Sequence, residues 1–548
     1  MKKLSIFIIV AFLFSCKSEK QPKFQAPLFN NLGSYEVKIS TKNKWCQKFF
    51  DQGLALTYGF NHAEANRSFK EAARLDTNCA ICYWGAALVN GPNINAPMFD
   101  SVYKSTFDLV QKAKAKEQYA SDKEKALIDA LAKRYPSPMP VADRSQFDKD
   151  YADAMKEVMQ KFPDDDDVAV MTGEALMDLH PWNFWNTDGS PQPWTQEIVD
   201  IYEKVLKRDP NHPGANHYYI HTVEASKTAD RAVASADRLA ALIPGAGHIV
   251  HMPSHIYLRV GRYHDAVLAN QSAIAADSSY YTQCHSQGFY PLAYGTHNMH
   301  FLFVSAAFEG NSKIALQAAN DIHHRMMDSS HLFHDPMFGP SIQNFSNMEL
   351  IALVRFGKWD DVLNYQKPDS SLTIPTAMWH WARCYAYVGK GNLDAATLES
   401  NALGAIASDT SLKHQTFFIN NFYDLLNIAS DMVKGEIAAK KGNADESNKY
   451  FTSAETIEDN LVYDEPPDWY FPVRNAHGAA LMEHGDYAGA EKVYRDDLTY
   501  FINDPWALCG LYQCLEKEGK TDDAAKTKAQ FQDMWKYSDF DLKSSRIL

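Results

Sequence analysis

Histidines form the strongest chemical pattern in this sequence. The chain has 20 of them, and 14 fall between residues 212 and 334. His217 and His221 stand four residues apart, and the same pair recurs further along as His251 and His255. Because side chains four residues apart share one face of a helix, each pair can direct two imidazoles toward a single point. The spacing therefore predicts two similar helices that each present a pair of metal-ligating side chains.

A second recurrence connects the histidines that flank these pairs. The spacing from His248 to His297 equals the spacing from His251 to His300. Both equal the His217–His251 interval plus an insertion of about 15 residues. Packed helices lie about 8–10 Å apart, so imidazoles from two neighbouring helices can share one ion. Nitrogen ligands of this type suit zinc, copper, nickel or iron. The predicted metal ligands are His217, His221, His248, His251, His255, His297 and His300, with Glu174 of the preceding helix as an additional carboxylate.

Two other interpretations of the histidines stay open at this point. Duplication of an ancestral repeat reproduces the spacing without any ligand, and the imidazoles then only pack or hydrogen-bond one another. Alternatively, the imidazoles bind a small polar or acidic ligand. Pro253 in the same stretch predicts a kink or a late helix start, because proline removes one helical hydrogen bond.

The elements that must position the histidines are helical hairpins that repeat along the chain. One copy, which begins at Gly53, is GLALTYGFNHAEANRSFKEAARLDTN, and another, from Gly478, is GAALMEHGDYAGAEKVYRDDL. Each has a small residue in its first helix, a glycine at the turn, and alanines around a large residue in its second helix. The turn glycines Gly485 and Gly519 are separated by the same interval as His217 and His251. This pattern and its period resemble the tetratricopeptide repeat (TPR) family over most of residues 41–535.

The resemblance implies an all-α fold, a TPR-type α-solenoid in which helical hairpins stack into a superhelix with loop insertions. It divides the chain into N-terminal repeats over 41–335, whose concave face carries the histidines, C-terminal repeats over 336–535 and a tail over 536–548. Insertions are expected near 180–194 and 277–292. The concave groove of such a fold is expected to hold a protein partner or a small polar ligand.

The N-terminus resembles that of a bacterial lipoprotein. Lys2 and Lys3 precede an apolar run over 4–14. That run is too short for a membrane span, which needs roughly 20 residues, and is typical of a signal peptide. It ends in Leu13-Phe14-Ser15-Cys16, which is similar to the lipobox at which lipoprotein leaders are cleaved.

This second resemblance implies how the chain is attached to the cell. Residues 1–15 are the expected signal peptide, Cys16 the lipidated residue and residues 16–40 a flexible tether. A lipid on Cys16 would anchor the protein to a membrane of the cell envelope. Lys17 after the cysteine favours the outer membrane, and whether the protein faces the periplasm or the cell surface stays open.

Three short motifs add further candidates. Cys79 and Cys82 form CAIC, which favours a disulfide and also allows a metal-ligand pair or free buried thiols. The candidate ligand-binding residues lie in loops and carry amide or indole groups: Asn93, Asn95, Trp182 and Trp185. The alternatives are a connecting turn for the asparagines and a hydrophobic plug for the tryptophans.

Composition limits the choice of function. The formal net charge is −14, and no basic stripe is present, so nucleic acid is not an expected partner. The first hypothesis is a membrane-anchored repeat protein that binds a ligand or partner in its groove. The second is an envelope metalloprotein or metalloenzyme with a multi-histidine site, and the third is a SusD-like glycan-capture lipoprotein. Whether the protein is an enzyme stays open, since no Ser-His-Asp or nucleotide-binding signature is evident.

Overall fold

The computed structural model describes residues 22–284 and 289–548, and helices form nearly all of their regular structure. The helices of the first half are α1 (Lys44–Tyr58), α2 (His62–Leu75), α3 (Ala80–Leu88), α4 (Tyr103–Lys114), α5 (Asp122–Arg134), α6 (Ser145–Lys161), α7 (Asp166–Met177), α8 (Thr195–Arg208), α9 (Pro213–Val223), α10 (Val233–Leu242), α11 (Gly247–His251), α12 (Pro253–Arg259), α13 (Tyr263–Cys284), α14 (Phe289–Leu292), α15 (Tyr294–Glu309) and α16 (Ser312–Asp328). Those of the second half are α17 (Gly339–Phe345), α18 (Met348–Arg355), α19 (Trp359–Asn364), α20 (Thr373–Gly389), α21 (Leu393–Ala407), α22 (Phe422–Lys440), α23 (Ala444–Glu458), α24 (Val473–Glu483), α25 (Tyr487–Tyr500), α26 (Pro505–Lys517) and α27 (Thr521–Met534). Over the described residues the one sheet is a two-stranded antiparallel hairpin of β1 (Thr416–Phe417) and β2 (Asn420–Asn421).

Consecutive helices pack against one another as hairpins, and each hairpin packs against the next one along the chain. The pairs α1–α2, α15–α16, α20–α21 and α22–α23 make the most extensive contacts of this kind. Short connections between such helices make the neighbours antiparallel. The all-α, TPR-type solenoid that the sequence predicts is therefore confirmed.

The small and large residues of the repeat pattern fit together physically. Phe69 of α2 is fully buried between Gly53 of α1 and Gly85 of α3. A Cβ atom added at either glycine would lie 2.7 Å from the Phe69 ring. The glycines are required because only a backbone without a side chain leaves room for the ring.

The C-terminal half folds back onto the helices that carry the histidines. The Tyr263 hydroxyl donates a hydrogen bond to the Ile502 carbonyl at 2.9 Å, across 239 residues of sequence. The Trp506 indole N–H donates to the Ala307 carbonyl at 3.0 Å, across 199 residues. The solenoid therefore curls until its late repeats contact its early ones, and its inner surface is enclosed.

Residues 22–40 do not form the free tether that the sequence suggested. Ala26, Leu32 and Ile39 are buried, and the Phe29 amide donates to the Gln52 side-chain oxygen at 2.8 Å. An extended segment with apolar side chains and satisfied amides gains by packing on the solenoid. The predicted signal peptide and lipidated Cys16 lie outside the described residues. Among the helices of the described part, none combines the length and apolar character needed to cross a membrane.

The expected tail over 536–548 is also part of the folded structure. Ser545 is fully buried and hydrogen-bonds the Tyr494 hydroxyl at 2.7 Å. The buried Arg546 guanidinium forms an ion pair with Glu436 at 3.0 Å. A buried cation needs a paired carboxylate, so this segment is held in place by specific contacts.

The two insertions differ in structure. Residues 180–194 form turns and one isolated bridge between Trp185 and Pro191, without a helix. In the stretch near 277–292, by contrast, α13 continues to Cys284. This stretch contains no glycine or proline before residue 285, so nothing stops the helix there. The expected loop is therefore helical in its first part.

The contact between early and late repeats can be tested at a turn. Gly261 has φ +72°, and a Cβ there would collide with the Ile502 carbonyl oxygen. Gly442 has φ +79° with nothing within 4 Å. We expect Gly261→Ala to lower the free energy of unfolding by about 3 kcal/mol, through both backbone strain and the clash. The control Gly442→Ala should lower it by about 1 kcal/mol, from strain alone. If both variants lost the same unfolding free energy, measured by urea unfolding, the contact between Gly261 and Ile502 would be contradicted.

Candidate metal centre

The histidines lie on the first helices of three successive hairpins. They are His217 and His221 on α9, His248 and His251 on α11, His255 on α12 and His297 on α15. Neighbouring rings in this group have centroids 4.8–5.9 Å apart. The structure thus brings six of the seven predicted histidine ligands together.

The helix that carries three of them is interrupted, as Pro253 suggested. The α11 segment ends at His251, and α12 begins at Pro253 with the proline in its first turn. Proline fits there because the first turn of a helix leaves its N–H groups without helical partners. The interruption keeps the rings of His251 and His255 on the same side, with their Nε2 atoms 2.8 Å apart.

Within the described residues, these histidines form two all-histidine sets of three, and His221 and His255 also form a candidate group with Glu224. In each set, one ligand atom per residue lies within 4.8 Å of the others. We call them the first histidine set, with His217, His221 and His248, and the second histidine set, with His251, His255 and His297.

Hydrogen bonds fix the tautomer of two members of the first set. His217 Nδ1 lies 2.6 Å from the Tyr58 carbonyl oxygen, which can only accept. His221 Nδ1 lies 2.8 Å from Glu224 Oε1. Each Nδ1 therefore carries the hydrogen and donates it. In a neutral imidazole the other nitrogen then bears a lone pair, so His217 and His221 present Nε2 as a ligand atom.

Two members of the second set are fixed in the same way. His255 Nδ1 donates to Glu224 Oε2 at 2.5 Å, and His251 Nδ1 donates to Asn270 Oδ1 at 2.7 Å. The Asn270 amide is oriented by its own N–H, which donates to the Ala266 carbonyl at 2.8 Å. His251 and His255 therefore also present Nε2 lone pairs. Such outer hydrogen bonds typically orient the histidine ligands of metals.

The Nε2 atoms of each set lie at short distances from one another, and in the pair His251 and His255 both carry lone pairs. The Nε2 atoms of His251 and His255 are 2.8 Å apart, and those of His255 and His297 are 3.4 Å apart. In the first set, the Nε2 atoms of His217 and His248 are 3.1 Å apart. Two nitrogens bound at about 2.0–2.1 Å to one tetrahedral ion lie about 3.3 Å apart. Between His251 and His255 a metal cation, or a proton on one of the two nitrogens, relieves the repulsion of the two lone pairs.

Burial favours the neutral form of three of these imidazoles. The five histidines of α9, α11 and α12 are at most 2% exposed. Desolvation and neighbouring histidines lower the pKa of His217, His248 and His251 well below its usual value. Burial alone would raise the pKa of Glu224, but the charge and hydrogen bonds of His255 and His221 lower it to about 2. Neutral nitrogen donors with one carboxylate behind them suit a transition-metal ion.

Aromatic residues from other parts of the chain enclose the centre. The Phe60 ring stacks on His248 with centroids 5.4 Å apart, and Trp182 meets His221 edge-on at 5.3 Å. From the C-terminal half, the Tyr463 hydroxyl lies 3.2 Å from Glu224 Oε2 and also contacts Glu465. These side chains keep bulk water from most of the histidines.

Two of the predicted ligands lie elsewhere. His300 follows His297 by less than one turn, and its ring packs against Phe345 and Tyr470 with centroids 5.2 and 5.0 Å away. Glu174 lies beside Asp178, where burial and that neighbouring carboxylate raise its pKa well above the usual value. Neither belongs to a histidine set. Both lie in the repeat register of the ligands, but one helix turn is enough to aim a side chain at a different neighbour.

The four loop residues predicted to bind a ligand lie at different distances from the histidines. The Asn93 amide lies 3.1 Å from His62 Nδ1, and the Asn95 amide donates to the Tyr294 hydroxyl at 3.1 Å. Trp182 contacts His221, whereas the Trp185 indole N–H donates to the Thr222 carbonyl at 2.7 Å. Tyr294 in turn meets His248 edge-on at 4.9 Å. Trp185 thus fastens the 180–194 insertion to α9, and Trp182 and Asn95 border the histidines.

The cysteine motif is remote from the histidines in sequence and in packing. Cys79 and Cys82 are joined by a disulfide, and the thiol of Cys46 lies 3.5 Å from the sulfur of Cys82. All three are buried beneath α1 and α3. Burial raises the pKa of the Cys46 thiol to about 12, which keeps it protonated and unreactive.

Three residues of the centre were not predicted from the sequence. Glu224 holds one histidine of each set, Asn270 fixes His251, and Tyr463 reaches Glu224 from 239 residues away. Glu224 follows His221 by three residues, a spacing that places both on one helix face. That signal was available, whereas the approach of Asn270 and Tyr463 depends on packing between helices.

His300 provides a test of how burial affects acid stability. Burial lowers its pKa to about 3 in the folded protein, while an unfolded histidine has a pKa of about 6.5. The unfolded chain therefore binds the proton first, and stability is lost as the pH falls from about 6.5 toward 3. In urea unfolding of metal-free protein, His300→Phe should reduce the stability lost between about pH 7 and pH 4 by about 3 kcal/mol. Equal losses in both proteins would show that His300 is not buried in this way.

Comparisons with known proteins identify no family. No protein-family model and no curated protein sequence matches the chain. Among solved structures, the human IFIT1 dimer with m7Gppp-AAAA aligns with 90% of this chain and 91% of its own, at 11% identity and TM-score 0.33. Cut9 in the APC/C hetero-tetramer Cut9-Hcn1 aligns over 89% and 73%, at 12% identity and TM-score 0.28. Yeast Tom70 aligns over 89% and 90%, at 10% identity and TM-score 0.26. These neighbours are TPR-like helical solenoids.

Proposed function

We propose that this protein is a metalloprotein that binds a transition metal within its TPR-type solenoid. The observation that carries the proposal is the pair of Nε2 atoms of His251 and His255, 2.8 Å apart. Asn270 and Glu224 accept the Nδ1 hydrogens of the two rings, so both Nε2 atoms are left as lone-pair donors. A metal ion between them turns a repulsive contact into two coordinate bonds.

The enclosed inner surface favours an ion over a larger ligand. Phe60, Trp182 and Tyr463 occupy the space around the histidines. A peptide in the groove would have to displace these side chains and separate the two halves of the chain. An ion needs only the space between imidazoles, and the half-buried His297 gives the centre a side that faces solvent.

The donor set limits the choice of metal. Imidazole nitrogens with one carboxylate behind them suit zinc, copper, nickel or iron, and copper(II) binds most tightly to a given site of this type. Three imidazoles per ion leave a coordination position for water or a substrate. Hydrolytic or redox chemistry is therefore compatible with the centre, and an enzyme is the next hypothesis to examine if metal is found.

We also propose that the protein is held at the cell envelope by lipid on Cys16, at the outer membrane. The proposal rests on the order of charge, apolar run and cysteine in residues 1–16. An envelope location would expose the centre to metal ions that enter from outside the cell.

Metal content tests the principal proposal. Wild-type protein dialysed against zinc or copper and then against metal-free buffer at about pH 8 should retain metal, measured by mass spectrometry of the elements. His251→Ala with His255→Ala should lose much of it, because both lone-pair donors of the closest contact are removed. His331→Ala with His334→Ala removes two exposed imidazoles and serves as the control, which should retain the wild-type amount. Equal, near-zero metal in all three proteins would refute the proposal.

The anchor is tested at the cysteine. Cys16→Ala should release the protein into the soluble fraction or leave the leader uncleaved, because no thiol remains for the lipid. Fractionation of cells and mass spectrometry of the N-terminal peptide report the outcome. An N-terminal peptide of the wild type that carries no lipid would rule out the anchor, whatever the metal content.

A further inference from the structure

The two histidine sets are copies of one another, related by the repeat. A shift of one repeat length takes His217 to His251 and His221 to His255. These residues form the paired donors of the first and the second set. The pair in each set is thus supplied by the first helix of one hairpin, four residues apart.

The third member of each set comes from the next hairpin along the chain. His248 joins the first set from α11, and His297 joins the second set from α15. His248 and His297 are themselves related by one repeat length plus the insertion that lies between their helices. Each set therefore follows the same rule, with two imidazoles from one repeat and one from its successor.

The series begins and ends with these two sets. The position that corresponds to His248 in the preceding repeat is Gly214. The position that corresponds to His255 in the following repeat, after the insertion, is Val304. His300 corresponds to His251 in the following repeat, but no histidine stands four residues after it. Its ring packs among aromatic side chains instead. The rule that builds a complete set is satisfied twice and fails on either side.

We propose that each histidine set holds its own metal ion, so that the protein carries a two-metal centre built by repeat duplication. This inference rests on the proposed metal-binding function and specifies its stoichiometry. Glu224 connects the two sites, because its Oε1 accepts from His221 of the first set and its Oε2 from His255 of the second. The sites adjoin, since the rings of His221 and His255 have centroids 5.4 Å apart and those of His248 and His251 are 5.8 Å apart.

The shared carboxylate explains how two cations are tolerated side by side. Glu224 lies behind both sets and accepts one imidazole hydrogen from each, so its carboxylate supports either ion through that imidazole. Each ion has three nitrogen donors and keeps a position for a small exogenous ligand, such as water or a simple anion. Adjacent ions with open positions can act together on one oxygen or nitrogen ligand.

Stoichiometry of zinc binding by the full-length mature chain tests the inference. Metal-free wild type, equilibrated with excess zinc and then dialysed, should retain two zinc ions per chain. His217→Ala with His248→Ala removes two donors of the first set and should leave one ion. His251→Ala with His297→Ala removes two donors of the second set and should also leave one. His331→Ala with His334→Ala is the control and should retain two. Circular dichroism and urea unfolding identify any variant that fails to fold.

The possible results separate this inference from the proposal beneath it. One zinc ion in the wild type and none in either site variant would mean a single shared ion, which overturns the two-metal centre and leaves metal binding intact. No zinc in the wild type overturns both. The wild type alone also decides the question if a variant does not fold, because copper(II) titration should saturate at two equivalents. Two neighbouring copper(II) ions should give fewer detectable spins by electron paramagnetic resonance than the copper present, whereas saturation at one equivalent with full spin intensity contradicts the inference.

Discussion

The hydrogen bonds at Nδ1 of four buried histidines are the interactions on which the centre of this solenoid depends. Tyr58, Glu224 and Asn270 each supply an oxygen that accepts the imidazole hydrogen. Every Nε2 is thereby left as a donor atom that points inward. Without these acceptors each ring could exchange its protonated nitrogen, and neighbouring imidazoles would simply hydrogen-bond one another. The outer partners thus leave these four nitrogens with lone pairs that a ligand can use.

The repeat fold can produce this arrangement by duplicating one helical hairpin. A hairpin that places two imidazoles four residues apart needs only a copy of itself to place two more, one repeat further along the chain. The copies need different outer partners, because Glu224 serves one ring in each set while Tyr58 and Asn270 serve only one set each. Duplication therefore explains the donors, and the individual packing of each helix explains how they are oriented.

Much of the fold and part of the site could be predicted from sequence. The hairpins follow from small, large and turn residues at fixed intervals, and the convergence of His217 with His248 follows from repeat register. Register could not decide where His300 and Glu174 point, because the His300 ring packs against Phe345 and Glu174 lies beside Asp178, contacts that depend on the rest of the fold. The packed residues at 22–40 and 536–548 were also missed, since composition shows polarity and does not show which groove a segment fills.

The contact between Tyr463 and Glu224 joins the late repeats to the early ones, 239 residues apart. In an ordinary solenoid each repeat touches only its neighbours, so the array can fray from either end while the middle persists. Here the late repeats also contact helices near the middle of the chain. We therefore expect the middle and late repeats to unfold as one cooperative unit. During synthesis the histidine-bearing helices would wait for roughly half of the chain to emerge, and the centre would mature late in folding.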